Sequence, residues 1–332
     1  MVVPNYPLRF QPTFRQYIWG GRRIGSLLRK SIPPDGPVAE SWEVVDHGED
    51  QSVVANGPLQ GKTLNELVRN TGHHLLGPAV QADSFPLLFK FLDANRDLSI
   101  QVHPDDDQGA RLDPPDKGKT EAWYIVDAQP GAKVYAGLKS GVDRTTFEAA
   151  IREQRVVECL HSFEPIPGDC IFIPARTVHA LGQGLLVAEI QQASNTTFRI
   201  FDWNRTDADG KPRPLHIEQS LKTIDFGRGP ISPQVPTTTS VGQIQRLVTC
   251  DKFIMERWQG SGIHWLGGES RFRIVAILDG EVAVDHPEFP HPLLMGDVVL
   301  LPGDCPPVEF AASGNATWLE MTINLPGLSN SI

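Results

Sequence analysis

The sequence predicts a mainly β fold built from two copies of one strand unit, with a few helices outside the sheets. Three observations carry that expectation. Short runs rich in Val, Ile, Leu and Phe alternate with Gly, Pro and Asp turns, and 28 prolines with 30 glycines leave little room for long helices. The segment Gly168-Asp-Cys-Ile-Phe-Ile-Pro174 is echoed by Gly296-Asp-Val-Val-Leu-Leu-Pro302, each a Gly-Asp turn feeding an apolar strand that ends at proline. Each echo is preceded by a strand, a glycine turn and a strand: Trp123-Tyr-Ile-Val126 with Gly131, and Ile274-Val-Ala-Ile-Leu278 with Gly280.

Taken in order, the elements begin with thirty residues that hold Pro4, Pro7, Trp19 and several arginines but no apolar run, so neither a signal peptide nor a membrane span is expected there. Thr63-Leu-Asn-Glu66 matches a capping box and opens a helix, with Leu64, Leu67 and Val68 at helical spacing. Phe85-Pro-Leu-Leu-Phe-Lys-Phe-Leu-Asp-Ala94 reads as a buried strand. Leu98-Ser-Ile-Gln-Val-His103 reads as a second one, ended by Pro104 and the aspartates that follow. Alternation puts Gln101 and His103 on one face of it and Leu98, Ile100 and Val102 on the other. Thr145-Thr-Phe-Glu148 gives a second capping box, followed by Phe147 and Ile151 on a helix face. The Pro-, Gly-, Ser- and Thr-rich stretch from Pro212 to Pro236 reads as the linker, which divides the chain into residues 1–235 and 236–332. Aligning the two echoes sets His179 against Pro307, so only the first unit is expected to hold a metal.

Composition narrows the function. A formal net charge of -10 disfavours nucleic acid as a partner, while leaving room for an anionic small molecule in a local pocket of Lys and Arg. The four cysteines, Cys159, Cys170, Cys250 and Cys305, lie far apart without a Cys-x-x-Cys spacing, which argues against a zinc knuckle, a redox motif and a disulfide framework. A reduced, cytoplasmic protein is the expectation, with no membrane partner. Two units that bury one another's sheets make a monomer the expected state.

The chemistry is concentrated in Gln101, His103, Glu121 and His179, four metal-capable side chains on strand-like segments of the first unit. A strand, a Gly turn, a strand and then Gly-Asp-x-x-x-x-Pro followed by a His resembles a cupin, a small double-sheet jelly roll with a metal inside. The resemblance implies two cupin-type jelly-roll domains: a catalytic one with helical additions over 1–235 and a metal-free one over 236–332.

A longer set of motifs is similar to one enzyme family. It comprises Tyr17-Ile-Trp-Gly-Gly21, Ala39-Glu-Ser-Trp-Glu43, Ser52-Val-Val-Ala-Asn-Gly57, Phe89-Lys-Phe-Leu-Asp93, Leu98 to Asp105, Gly118-Lys-Thr-Glu-Ala-Trp-Tyr124, Ile173 to Gly182, Glu189-Ile-Gln-Gln192 and Thr196-Thr-Phe-Arg-Ile-Phe-Asp-Trp203. In this order they resemble the type I mannose-6-phosphate isomerases in their short bacterial form. The resemblance implies Gln101, His103, Glu121 and His179 as ligands of one divalent metal, Arg199 as a catalytic arginine, and Lys90 and Lys119 beside the substrate. Where some relatives carry an Asp four residues before the arginine, this chain has Asn195.

An aldose-ketose isomerisation moves one proton between C2 and C1 through a cis-enediolate, so it needs positive charge at the O1/O2 edge. Two imidazoles, a carboxylate and a weak amide ligand suit an open Zn²⁺ site, and would also take Co²⁺, Mn²⁺ or Fe²⁺. Lys119 is a candidate base because a neighbouring cation disfavours an ammonium; Glu121 or His103 qualifies only when off the metal. Arg199 can fork onto the enediolate or onto the phosphate, and the enediolate is the assignment made here. Trp19, Trp42, Trp123 and Trp203 are assigned to core, and His73, His74 and His216 receive no role. Three alternatives stay open: a cupin oxygenase, disfavoured because Gln101 stands where such enzymes present a His; a non-catalytic sugar-phosphate sensor, disfavoured by the retention of Lys119 and Arg199; and a cupin isomerase for another sugar phosphate, which differs from mannose 6-phosphate by a hydroxyl the sequence does not distinguish.

Overall fold

The computed structural model describes residues 2–206 and 210–325. Two antiparallel sheets form the first half. One runs in the order Cys170–Ile173, Glu121–Ala128, Leu185–Gln192, Leu87–Ala94, Glu40–Val44, Thr13–Arg15; the other in the order Leu160–Phe163, Val134–Leu138, His179–Leu181, Ile100–Val102, Phe198–Phe201. Their inner faces meet through Leu92, Trp123, Ile125, Ile171, Ile173 and Val187 from the first sheet and Val134, Ala136 and Leu181 from the second. This is the face-to-face two-sheet packing of a jelly roll.

The strands look uniformly apolar because both of their faces are covered. Phe89, Phe91, Ala122, Tyr124, Ala188 and Ile190 point away from the sandwich, toward Phe253, Met255, Ile274, Ala276, Leu319 and Met321 of the second half. Lys90, Leu92, Glu121, Trp123 and Glu189 alternate with them and point inward, where they border a cavity. On the outer side of the five-stranded sheet, Ile100, Val102, Val178, Ala180 and Ile200 are capped by Phe147 and Ala150 of the helix Arg144–Arg152. The expected alternation holds over a shorter strand, Ile100–Val102, but Leu98, just before it, does not share the outer face: it packs in the inner core with Trp19 and Trp123 and borders the cavity. Asp105 does not simply end that strand; its side chain caps a four-residue helix, Asp106–Gly109.

Helix Leu64–Leu76 begins with the predicted box, Thr63 accepting from the Glu66 amide and Glu66 accepting from the Thr63 amide. The second box is not formed. Asp143 caps Arg144–Arg152 by accepting from the Thr146 amide, and Glu148 pairs with Arg144 instead of reaching back. Asp and Thr are both good caps, and the helix takes the earlier of two starts two residues apart, with Phe147 buried in its first turn. The presumed linker also holds a helix, Ile217–Thr223, whose Leu221 and Ile217 pack on the five-stranded sheet; the surrounding prolines masked this short amphipathic run.

The third, eight-stranded sheet is built on the long antiparallel pair Phe253–Leu266 and Val308–Ile323, and encloses a core of its own around Trp258, Val275, Ile277, Leu301, Phe310 and Trp318. The sequence echo is a structural one. Cys170–Ile173 pairs with Glu121–Tyr124 as Val298–Leu301 pairs with Arg273–Ala276, and Gly168 and Gly296 turn with φ of +97° and +93°. Following register outward, Arg273 stands where Glu121 stands, Glu320 where Glu189 stands and Glu256 where Lys90 stands.

In the second unit these charges neutralise one another. Arg273 is ion-paired to Glu320, lies 2.6 Å from Glu269, and Trp318 Nε1 donates to Glu320 at 2.9 Å. Burial works against the Glu320 charge, but Arg273 outweighs it, helped by His264 and Trp318, and holds the carboxyl at about 2 instead of 4.5. A carboxyl depressed by folding contributes stability above its unfolded pKa and loses it as pH falls through the folded one. Glu320→Ala should thus cost about 3 kcal/mol near neutrality. That difference should shrink between about pH 4.5 and pH 2, as read by urea titrations at several pH values. A pH-independent difference would mean that packing, not charge, is lost.

Candidate metal centre and substrate cavity

Strand register builds one side of the site. His179 and Arg199 lie opposite Gln101, one on each neighbouring strand, so all three occupy the same face of the five-stranded sheet. Glu121 begins the facing strand, and His103 follows Val102 just before Pro104 turns the chain away. His103, Glu121 and His179 are each about 1% exposed, and their ligand-type atoms all lie within 4.8 Å of one another.

Both imidazoles are fixed from behind. His103 Nδ1 donates to the Thr196 carbonyl and His179 Nδ1 to the Thr177 carbonyl, each at 2.9 Å, which leaves both Nε2 lone pairs aimed at Glu121, 3.6 and 3.3 Å from its oxygens. Gln101 Nε2 is 3.5 and 3.4 Å from these nitrogens while its Oε1 accepts from Ser99. A half-turn of the amide exchanges the two atoms, presents the oxygen as a fourth donor and lets the nitrogen donate to Ser99. The ammonium of Lys119 already sits among these donors, 3.1 Å from His103 Nε2 and hydrogen-bonded to Glu121, so the pocket is shaped and charged for a cation.

Electrostatics agree with that donor set. Burial, reinforced by Lys119, holds His103 far below its ordinary pKa and His179 at about 3, so both rings are neutral, as metal ligands must be. Burial lifts Glu121 to about 7, with Lys119 opposing and Glu189 adding to the rise. Lys90 resists the neutralising pull of burial because Glu189, Glu40 and Glu121 together raise it. Glu40, Lys90, Glu189, Lys119 and Glu121 form a buried chain of alternating charge, its links 3.4, 3.7 and 3.4 Å long before the short Lys119–Glu121 contact.

A cavity of about 290 Å³ opens onto this chain. Gln101, Lys119, Glu121, His179, Lys90 and Arg199 all line it, whereas His103 lies behind Lys119 and reaches the site only through its Nε2. Arg199 is half-buried, its Nη1 donating to the Pro214 carbonyl at 2.9 Å and its Nε to Ser99 Oγ at 3.3 Å; burial and the neighbouring Arg213 lower its pKa. The lining thus sets four cationic side chains, Lys90, Lys119, Arg199 and Arg213, against three carboxylates, Glu40, Glu121 and Glu189, a local positive excess in an acidic chain that suits an anionic ligand.

The tertiary structure adds residues that received no role from sequence. Glu189 and Glu40 hold the lysines, and Tyr17, Trp19, Trp123, Asn195 and Arg213 complete the wall. Trp19 and Trp123 belong to the core as assigned, yet one side of each borders the cavity. Trp42 is core, its Nε1 hydrogen-bonded to Glu40. His216 is not idle: its Nδ1 accepts from the Arg199 amide and its own amide donates to the Arg199 carbonyl. Glu189 had a legible signal, a lone charge inside an apolar strand; Arg213, in a proline-rich stretch, had none.

A model of the type I phosphomannose isomerase catalytic domain matches residues 8–137. Mannose-6-phosphate isomerase ManA of Bacillus subtilis (strain 168) is 36% identical over 303 residues, 89% of this chain and 93% of its own length. The crystal structure of mannose 6-phosphate isomerase from Bacillus subtilis superimposes with a TM-score of 0.87 at 31% identity, over 95% of this chain and 99% of that one. A mannose 6-phosphate isomerase solved with bound zinc and yttrium shares the fold, with a TM-score of 0.75 at 16% identity over 96% of this chain and 100% of that one. Sequence likeness across nearly the whole length, on this cupin fold, makes the chain a member of the type I phosphomannose isomerase family.

Proposed function

We propose that this protein interconverts mannose 6-phosphate and fructose 6-phosphate, using one divalent metal, Zn²⁺, held by Gln101, His103, Glu121 and His179. The observation that carries the reading is the convergence of two neutral imidazoles and a carboxylate, within 4.8 Å of one another, on a cavity that also holds Lys119 and Arg199. When bound, the metal would supply positive charge against the oxygens of the substrate's O1/O2 edge.

The chain's own residues do the rest. Released from Glu121 as the neutral amine, Lys119 takes the proton from C2 and returns it to C1 on the same face, while the hydroxyl proton passes from O2 to O1, so no atom is gained or lost across the cis-enediolate. Arg199 pairs with the developing enediolate oxygen, and its anchors on Pro214 and Ser99 keep the guanidinium in place while that charge grows. Lys90, held charged by Glu40 and Glu189, supports binding of the anionic substrate. Residues 236–332, whose matching positions carry the self-neutralised Arg273, Glu320 and Glu256, act as a metal-free buttress behind the catalytic unit of residues 1–235. Four unpaired cysteines accord with a cytoplasmic protein, and among the described residues no helix is long and apolar enough to cross a membrane. A monomer is the working state proposed.

The test is a coupled assay of zinc-loaded protein with mannose 6-phosphate, glucose 6-phosphate serving as the comparison. Turnover of the mannose compound is expected at about 1 to 1000 per second, abolished by thorough chelation and restored by Zn²⁺ or Co²⁺. Activity that survives complete metal removal would sink the mechanism. No turnover with metal bound and fold intact would transfer the weight to an isomerase of another sugar phosphate or to a sugar-phosphate sensor.

A further inference from the structure

One carboxylate outside the cavity organises one wall of the site. Asp116, whose side chain is 15% exposed, accepts from five donors at once. Its Oδ1 takes His47 Nε2 at 3.1 Å and the Lys117 amide at 2.8 Å; its Oδ2 takes Ser194 Oγ at 2.8 Å, Thr196 Oγ1 at 2.6 Å and the Asn195 amide at 3.3 Å. Three consecutive residues, 194 to 196, are therefore tied to a single side chain. Asn195 and Thr197 of this segment line the cavity, and the Thr196 carbonyl accepts the proton of His103 Nδ1 at 2.9 Å.

The carboxylate is built to stay charged. Burial opposes ionisation, but the hydrogen bonds from His47, Thr196 and Ser194 outweigh it and hold Asp116 well below the usual carboxylate range. The site lies away from the buried charge chain, since none of Lys90, Lys119, Glu121 or Glu189 is among its partners. Its side-chain partners reach the chemistry through the 194–197 segment, whose Thr196 carbonyl orients the His103 ring, and its bond to the Lys117 amide also steadies the turn that leads to Lys119.

We infer that Asp116 is a positioning residue, which clamps residues 194–196 so that the Thr196 carbonyl fixes the tautomer and direction of His103. The inference rests on the proposed reading of His103 as a metal ligand. Outer partners of ligating histidines set metal affinity through ring orientation, typically by about 10- to 100-fold when they are changed. Acting one residue further out, Asp116 belongs at the low end of that range.

The test measures the dissociation constant for Zn²⁺ by competition with a chromophoric chelator, together with the visible spectrum of the Co²⁺-loaded protein, which reads ligand geometry. Asp116→Asn is expected to weaken Zn²⁺ about 10-fold and to shift the Co²⁺ spectrum. Thr196→Val, which removes one leg of the clamp but keeps the carbonyl, should shift both in the same direction by a smaller factor, and decides the matter if Asp116→Asn does not fold. Wild-type Zn²⁺ affinity and an unchanged Co²⁺ spectrum in either folded variant overturns the inference while leaving the metal site standing. Failure of the wild-type protein itself to bind Zn²⁺ overturns the metal reading and this inference with it.

Discussion

His179→Ala is expected to bring metal content from about one ion per chain to near zero, and kcat/KM down by about 10³-fold or more, since metal assistance is worth several kcal/mol. The strand should survive the change. His179 contributes backbone pairing to Ala136 and Gln101, which alanine keeps, and the lost ring leaves a void between His103, 4.8 Å away, and the edge of Trp123, 5.4 Å away. Three donors would remain, but Glu121 would then face a single imidazole and the ammonium of Lys119 would compete for it. Atomic absorption on the dialysed variant, beside a circular-dichroism melt, checks both parts. A folded variant that retains a full metal complement yet loses turnover would reassign His179 from ligand to participant in proton transfer.

The second large effect expected is that of Arg199→Ala, with metal content unchanged and kcat reduced by about 10²- to 10³-fold, the usual loss when one preorganised donor to a developing oxyanion is removed. Arg199 reaches Gln101 only indirectly: Ser99 Oγ takes the arginine Nε and donates to the amide, so the ligand keeps its strand neighbour His179 when the arginine goes. Arg199→Lys should recover little, because a lysine cannot hold Pro214 and Ser99 at once while presenting a further donor. Steady-state kinetics separate the possibilities. A raised KM with kcat intact would place Arg199 on the phosphate as a uniform binding group.

Much of this site was legible because strand chemistry is local. Alternation predicts which side chains of Ile100 to Val102 share a face, and the structure puts Ile100 and Val102 in the outer core with Gln101 toward the cavity; Leu98, before the strand begins, turns to the cavity side instead. The Thr63 box is equally local and forms as written. The Asp143 cap was not legible, because two adequate starts sat two residues apart and capping preference alone does not separate Asp from Thr. The helix Ile217–Thr223 lies inside a composition that reads as linker, and only the sheet it covers makes it worth forming.

By itself the sequence determined the mainly β class, the duplicated Gly-Asp strand unit and the identity of the metal-capable side chains, since each follows from residue type and short-range spacing. Only the tertiary structure decided which of these residues meet: register across three strands brings His179, Gln101 and Arg199 together, and two facing sheets bring Glu121 to them. It alone revealed the alternation Glu40, Lys90, Glu189, Lys119, Glu121, and its replacement in the second unit by an Arg273–Glu320 pair. Buried charges must find partners, and partners drawn from strands far apart in the chain leave no mark in the spacing of any one of them.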